Sequence, residues 1–156
     1  MISELDRYHG VVLRQMLVAH GRPASIGVVD VFGRVDAFSI AGAAFHIKHS
    51  AKRLTPWRFT YMPENLEELA ELRRTFDSVW VFLVCGEDGV VGLSFDELHS
   101  ILAPGEGGAA WIRVSRSRNS MYRVGGVRGD LSRAKPRGVQ PFLESVFKHD
   151  LGLGAE

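Results

Sequence analysis

This sequence has almost no cysteine and no long apolar run, and both absences narrow the class of protein that it can be. Cys85 is the only cysteine among 156 residues, so neither an intrachain disulfide nor a zinc-binding cluster of thiolates can form. No apolar run approaches the roughly 18 residues that a membrane helix needs, and the first residues lack the basic start and apolar core of a signal peptide. We therefore expect a cytoplasmic protein without a membrane partner.

Two common catalytic signatures are also missing. Residues 104–108 are rich in glycine, but the Gly-Lys-Ser/Thr ending of a phosphate-binding loop does not follow them. No serine stands in the Gly-X-Ser-X-Gly setting that many hydrolases use for their nucleophile. The sequence therefore predicts neither a P-loop nucleotide site nor a serine hydrolase.

The composition is that of a folded domain. Hydrophobic residues make up 46% and charged residues 24% of the chain, close to the averages for folded proteins. We predict a single α/β domain over residues 1–156, with a mixed central β-sheet and flanking helices. Within it we distinguish a core at 3–102, a basic hairpin and tail at 109–138, and a C-terminal helix at 141–150.

Hydrophobic periodicity and capping signals give the elements. They predict a helix from Glu4 to about His20, one that opens at Pro63, one that ends at Leu102 and a last one from about Pro141 to His149. Strands are predicted at 24–31, in two runs that meet at residues 41 and 42, and at 78–84, 90–93, 109–114 and 121–124. Residues 51–61 are expected to be a connector because Pro56 disfavours a central strand, and the tail 125–138 is expected to lie on the surface.

The candidate site lies where the two runs meet. His46 and Lys48 are two apart, so on a strand both side chains leave the same face. A hairpin that turns at Gly42 could bring Asp36 to a neighbouring position. Lys48 also interrupts an apolar run, where an unpaired ammonium group is costly. The alternative is structural, with His46 satisfied beside the core and Lys48 extending from a sheet edge to water.

Positive charge is concentrated late in the chain. Eight basic residues and one acid lie between Trp111 and Arg137, a local charge of +7, so the rest of the chain carries −6 against a total of +1. Such asymmetry is typical of contact with a polyanion, although a solvated surface is the alternative. The side chains that we expect to bind a phosphate backbone are Lys52, Arg53, Arg58, Arg113, Arg116, Arg118 and Arg123.

Asp36 followed by His46-Ile47-Lys48 resembles the motif of the PD-(D/E)XK, or restriction-endonuclease-like, nuclease superfamily. The resemblance covers roughly Ser3 to Leu102 and implies a core of helix, β-meander, helix and strand. It also implies that a strand aspartate and a Glu/Gln-X-Lys triplet hold a divalent metal and activate water, assisted by an acid on the first helix. Asp36 takes the aspartate position, His46 and Lys48 take the ends of the triplet, and Glu4 takes the helix position.

The departure from that motif affects the expected metal. His46 stands where the family has a carboxylate or amide, and imidazole suits Mn²⁺ better than Mg²⁺. If the chain is active, the resemblance implies that Asp36, together with His46 or Glu4, holds Mg²⁺ or Mn²⁺. Lys48 would then orient water or stabilise charge on the phosphate.

Three hypotheses follow. The first is a metal-dependent nuclease, and the second is an inactive nuclease-like domain that still binds nucleic acid, DNA in preference to RNA. The third is a protein-interaction module or complex subunit without a cofactor, whose basic tail binds an acidic partner. The sequence does not decide between a monomer and a homo-oligomer.

Overall fold

The computed structural model describes residues 1–102 and 110–148. Its helices are α1 (Glu4–His20), α2 (Pro63–Thr75), α3 (Phe95–Leu102) and α4 (Gln140–Val146). Its strands are β1 (Ile26–Val31), β2 (Arg34–Ile40), β3 (Ala43–Ser50), β4 (Trp57–Tyr61), β5 (Ser78–Cys85), β6 (Gly89–Ser94), β7 (Ala110–Ser115), β8 (Arg123–Gly126) and β9 (Gly129–Asp130). Residues 104–108 and the predicted helix end at 149–152 lie outside the described ranges.

The first sheet has five strands in the order β1-β2-β3-β5-β6. Strands β1, β2 and β3 form an antiparallel meander, β3 pairs in parallel with β5, and β5 forms an antiparallel hairpin with β6. The α/β class and the mixed sheet are therefore confirmed, as is the meander.

The turn between β2 and β3 depends on two residues with a positive φ. Ile40 pairs with Ala43, so the turn consists of Ala41 at φ 50° and Gly42 at φ 81°. Positive φ at both central positions is the requirement of the type I′ turn, whose twist matches that of the flanking strands. This turn sets the register that places the candidate residues.

A second, antiparallel sheet has the order β4-β7-β8-β9. The connector predicted at 51–61 is wrong over its second half, because β4 begins at Trp57. Pro56 comes just before the strand, where its missing N–H costs no ladder hydrogen bond. Trp57, Phe59 and Tyr61 are buried and alternate with exposed residues, which is the period-2 pattern of a half-buried strand.

The two faces of the first sheet carry separate cores. On one face, Val12 and Met16 of α1 and Phe142 of α4 pack against Phe45 and Phe82. The other face packs against α2, α3 and the second sheet, whose buried side chains join the same cluster. The molecule thus has three layers. The first contains α1 and α4, the second is the first sheet, and the third contains α2, α3 and the second sheet.

The helix predictions hold in the described residues, except that α4 ends at Val146, before the predicted end at about His149. Ser3 and Asp6 form the predicted capping box at the start of α1, and Ser94 and Glu97 exchange the same two hydrogen bonds before α3. Helix α2 begins at Pro63 as predicted. None of the described helices is both long enough and apolar enough to span a bilayer.

The tail 125–138 was expected to lie on the surface, but it forms hydrogen bonds with the core at several points. Lys135 pairs with buried Tyr122 in a β-bridge, and its Nζ donates to Glu97 Oε2 at 2.7 Å. Gly138 bridges to Val91 of the first sheet. The tail therefore links the two sheets.

Two glycine substitutions test whether the β2–β3 turn carries strain that only glycine avoids. Gly42→Ala should lower the free energy of unfolding by about 1 kcal/mol, because φ at this position is positive. An added Cβ would meet no atom within 4 Å, so the backbone conformation alone would cause this loss. Gly10→Ala, at an exposed site within α1, should raise it by about 1 kcal/mol. Denaturant unfolding measures both, and equal effects of the two variants would contradict the turn assignment.

Candidate functional site

Asp36, His46 and Glu68 form a cluster between the first sheet and α2. One ligand-type atom from each lies within 4.8 Å of the others. Asp36 is on β2, His46 on β3 and Glu68 on α2, so three separate elements build the cluster. His46 and Glu68 are buried, whereas Asp36 is half-buried.

Glu68 is the centre of the polar contacts. Its Oε2 lies 3.2 Å from His46 Nε2, and its Oε1 accepts a hydrogen bond of 3.0 Å from Arg34 Nη1. The side chains of His46 and Glu68 are 2% and 3% exposed, while that of Arg34 is 49% exposed. A buried carboxylate needs such partners, because an unpaired buried charge is strongly unfavourable.

These contacts decide the ionisation of Glu68. Burial alone would raise the pKa of its carboxyl group, but the hydrogen bonds and charges of His46 and Arg34 outweigh burial and lower the pKa below its ordinary value. Glu68 is therefore an anion in the folded protein at neutral pH.

Asp36 reaches the cluster from an irregular point of β2. In the hairpin it is Ala37, and not Asp36, that pairs with His46. The β1–β2 register shifts at the same place, because Val29 pairs with Ala37 but Val31 pairs with Arg34. Two residues of β2 thus stand opposite one of β1, and such bulges re-aim side chains. The predicted proximity of Asp36 and His46 exists, but plain strand alternation does not account for it.

Lys48 lies on the same side of β3 as His46 and is held by its surroundings. Its Nζ donates to the Thr60 carbonyl and, at 3.2 Å, to Asn65 Oδ1, and it lies 4.6 Å from the centre of the Tyr61 ring. Burial lowers the pKa of this amine, and the charges of Glu68 and Asp36 oppose that shift. With two of its three donors used by the protein, Lys48 has one left for a ligand.

Glu4 lies apart from this cluster. Its Oε2 is 3.4 Å from Nε2 of His49, whose ring stacks on Tyr8 at 4.4 Å. His49 is three residues beyond His46 on β3, so it leaves the opposite face of the strand. The structure thus does not bring Glu4 to the position that the resemblance implies.

Two buried imidazole nitrogens have no hydrogen-bond partner among the described residues, Nδ1 of His46 and Nε2 of His9. Burial lowers the pKa of His9, while the charge of Asp36 opposes this effect. A buried polar atom without a partner costs free energy, and a water molecule or a ligand in contact with it would offset that cost.

The donor set fits a divalent transition metal. An imidazole nitrogen and two carboxylate oxygens suit Mn²⁺, Fe²⁺ or Zn²⁺ better than Mg²⁺, which prefers oxygen ligands and water. Ligand atoms on opposite sides of one ion lie about 4.2 Å apart, so separations within 4.8 Å require only a small adjustment. Metal binding would break the hydrogen bond between His46 and Glu68, because both side chains would then coordinate the ion.

A second candidate region is the exposed face of the second sheet, which we call the arginine face and define as Arg58, Trp111, Arg113, Arg123, Asp130 and Arg133. Arg58 pairs with Arg113 across β4 and β7, so two guanidinium groups start from directly opposite positions. Arg58 also lies 4.7 Å from the centre of the Trp111 ring. The other five members line a cleft of about 280 Å³.

The remaining predicted phosphate-binding residues are not members of this face, and two of them make contacts within the fold. Arg116 donates two hydrogen bonds to Asp88, of 2.8 and 2.6 Å, and this contact gives it a structural role. Lys52 Nζ donates to the Pro56 carbonyl. Arg53 and Arg118 are exposed, and Arg118 is in the β7–β8 connection.

Sequence reasoning missed Glu68, Arg34, Asp130 and Arg133 as members of these sites. Glu68 could have been found, because it precedes buried Leu72 by four residues and therefore shares the buried face of α2. The sequence indicates only a turn at Arg34, and no local pattern marks it as a partner of a residue 34 positions away.

Comparison of the chain with protein-family models, with curated proteins and with solved structures found no match.

Replacement of Glu68 tests the ionised state of the cluster. Because its folded pKa is lowered, the carboxylate stabilises the fold above its ordinary pKa of 4.5, and this stabilisation is lost as the pH falls through the folded value. Glu68→Gln should therefore lower the free energy of unfolding by about 2 kcal/mol at pH 7, with a smaller difference from the wild type below pH 4.

The matched control is Glu67→Gln, at an exposed neighbour on α2, which should change the free energy of unfolding by less than about 0.5 kcal/mol. Urea unfolding at several pH values measures both variants. A Glu68→Gln difference that does not vary with pH would contradict the ionised pair.

Proposed function

We propose that this chain is a nucleic-acid-binding domain similar to the PD-(D/E)XK nucleases, and that the arginine face binds the phosphate backbone. The observation that carries the proposal is the like-charge pair of Arg58 and Arg113 on one exposed sheet face. Like charges directly opposite each other destabilise a sheet, and a polyanion would remove that penalty. The exposed residues Arg123 and Arg133 extend the same field.

The order of the elements supports the nuclease-like part of the proposal. Helix α1, the β1–β2–β3 meander, helix α2 and strand β5 follow in the sequence that the resemblance implies. The strand aspartate and the His-X-Lys triplet stand on β2 and β3, as expected. Strand β4 is an addition between the meander and α2.

Metal-dependent phosphodiester hydrolysis is the proposed activity, at the cluster of Asp36, His46 and Glu68. A divalent ion bound there would acidify water and withdraw charge from a phosphate. Asp36, the most accessible of the three, would face the substrate side, and His46 and Glu68 would hold the ion from the buried side. Lys48 would offer its remaining N–H to a phosphate oxygen.

The alternative is an inactive nuclease-like domain that acts as an interaction module or complex subunit, and one observation favours it. Glu68 already pairs with Arg34, and Lys48 is already bound to Thr60 and Asn65. Both sets of contacts satisfy these two charged groups without a ligand, as a structural role requires.

A salt titration tests the binding proposal. The slope of log affinity against log salt should fall by roughly 0.7 to 0.9 for each phosphate contact that is removed, so Arg113→Ala with Arg123→Ala should lose about twice that. Arg14→Ala with Arg22→Ala, at exposed sites at the opposite side of the first sheet, should leave the slope unchanged. Fluorescence anisotropy of labelled DNA and RNA measures it, and no binding at low salt would leave the interaction module as the better proposal.

Metal dependence tests the activity. Cleavage of single- and double-stranded DNA and RNA should be faster with Mn²⁺ than with Mg²⁺, since His46 supplies nitrogen. Asp36→Asn should abolish cleavage and weaken Mn²⁺ binding by about tenfold or more, as measured by calorimetry, and Lys48→Ala should slow cleavage with Mn²⁺ binding retained. Binding of nucleic acid without cleavage in either metal would favour the inactive alternative.

A further inference from the structure

The cleft on the arginine face contains an acid that phosphate binding does not explain. Asp130 is the only acidic residue between Trp111 and Arg137, and it lines the cleft together with Arg113, Arg123 and Arg133. A carboxylate in this position repels a phosphate backbone. A ligand of this cleft should therefore carry hydrogen-bond donors as well as phosphate.

The position of Asp130 follows from the strand register. Arg58, Arg113, Gly125 and Asp130 form one row across the four strands of the second sheet. Gly125 leaves a gap in that row, and a Cβ added to it would lie 1.9 Å from Asp130 Oδ1. The carboxylate therefore lies over the backbone of β8, in the space that a side chain at position 125 would fill.

The carboxylate of Asp130 also has no partner among the described residues. Asp130 forms no side-chain hydrogen bond or ion pair within the described part of the chain, although three arginines line the same cleft. Asp88, by contrast, accepts two hydrogen bonds from Arg116. Both oxygens of Asp130 are thus available to accept hydrogen bonds from a ligand.

A stacking surface borders the same cleft. Trp111 is half-buried, whereas Trp57 and Trp80 are 2% and 7% exposed, so Trp111 is the tryptophan that a ligand can reach. The Arg58 guanidinium lies 4.7 Å from its ring centre. Aromatic rings and guanidinium planes are the surfaces on which proteins stack unpaired bases.

From these contacts we infer that the cleft binds one unpaired base of a single-stranded nucleic acid, with Asp130 accepting hydrogen bonds from its Watson–Crick edge, and that the base is guanine. Guanine presents N1–H and N2–H side by side, which matches the two oxygens of a carboxylate. In a duplex these donors are already paired. The inference rests on the proposed function, because the neighbouring arginines are needed to hold the flanking phosphates.

The test uses labelled DNA strands of nine nucleotides, all of which carry the same charge. One strand is all thymidine, and the others carry a single central guanine, cytosine or hypoxanthine. The wild type should bind the guanine strand at least about fivefold more tightly than the thymidine strand, and hypoxanthine, which lacks the N2 amino group, should lose most of this gain. Quenching of tryptophan fluorescence should accompany binding of the guanine strand.

Asp130→Ala separates base recognition from general electrostatics. Removal of one negative charge should leave binding of the thymidine strand as tight as before or tighter, while the preference for guanine disappears. Asp130 is exposed, so we expect this variant to fold. Glu67→Ala, which removes an exposed negative charge on α2, should keep the preference.

The outcomes separate the inference from the proposed function. Tight binding of a duplex with no preference for guanine in single strands would overturn the inference and leave the proposed function standing. A guanine preference that persists in Asp130→Ala would also overturn it. Failure of the wild type to bind any strand at low salt would remove both.

Discussion

The parallel pairing of β3 with β5 is the constraint on which the rest of the structure depends. The two strands pair over eight residues, from Ala43 with Ser78 to Ser50 with Cys85, and parallel strands can be joined only by a crossover that returns the chain to the starting edge. Residues 51–77 form this crossover and contain both β4 and α2. The crossover therefore begins the second sheet and brings Thr60, Asn65 and Glu68 over the face of β3 that carries His46 and Lys48.

The parts of the site that were predictable are those encoded over a few residues. The spacing of His46 and Lys48 predicts a common face because side chains on a strand alternate, and Gly42 predicts a hairpin because the turn needs positive φ. Glu68 was not predictable from such patterns, because it meets His46 only through the crossover. The approach of Asp36 depends on a shift of register between β1 and β2, which the period-2 pattern does not indicate.

The second sheet was predictable only in its β7–β8 hairpin, and β4 escapes prediction for a similar reason. Pro56 disfavours a strand that contains it but not one that starts after it, and the alternation of Trp57, Phe59 and Tyr61 with polar residues was interpreted as part of a connector. The basic residues between Trp111 and Arg137 were recognised as a group by their charge alone. The structure then divides them, since Arg113 and Arg123 face solvent. Arg116 contacts Asp88 of the β5–β6 turn, and Lys135 contacts Glu97 of α3.

The charged groups of the buried cluster and those of the arginine face have opposite environments. In the cluster, each buried charged group has partners, so the low local dielectric strengthens the contacts and holds α2 on β3. On the arginine face, Arg58 and Arg113 stand opposite each other, and the stacking of Arg58 on Trp111, worth about 0.5–1 kcal/mol at an exposed site, offsets a repulsion of similar size. The cluster can thus persist without a ligand for structural reasons alone, whereas the arginine face contributes little to the fold. For this reason the proposal of nucleic-acid binding depends on the second sheet, and the proposal of catalysis depends on whether a metal ion can replace contacts that the buried cluster already makes.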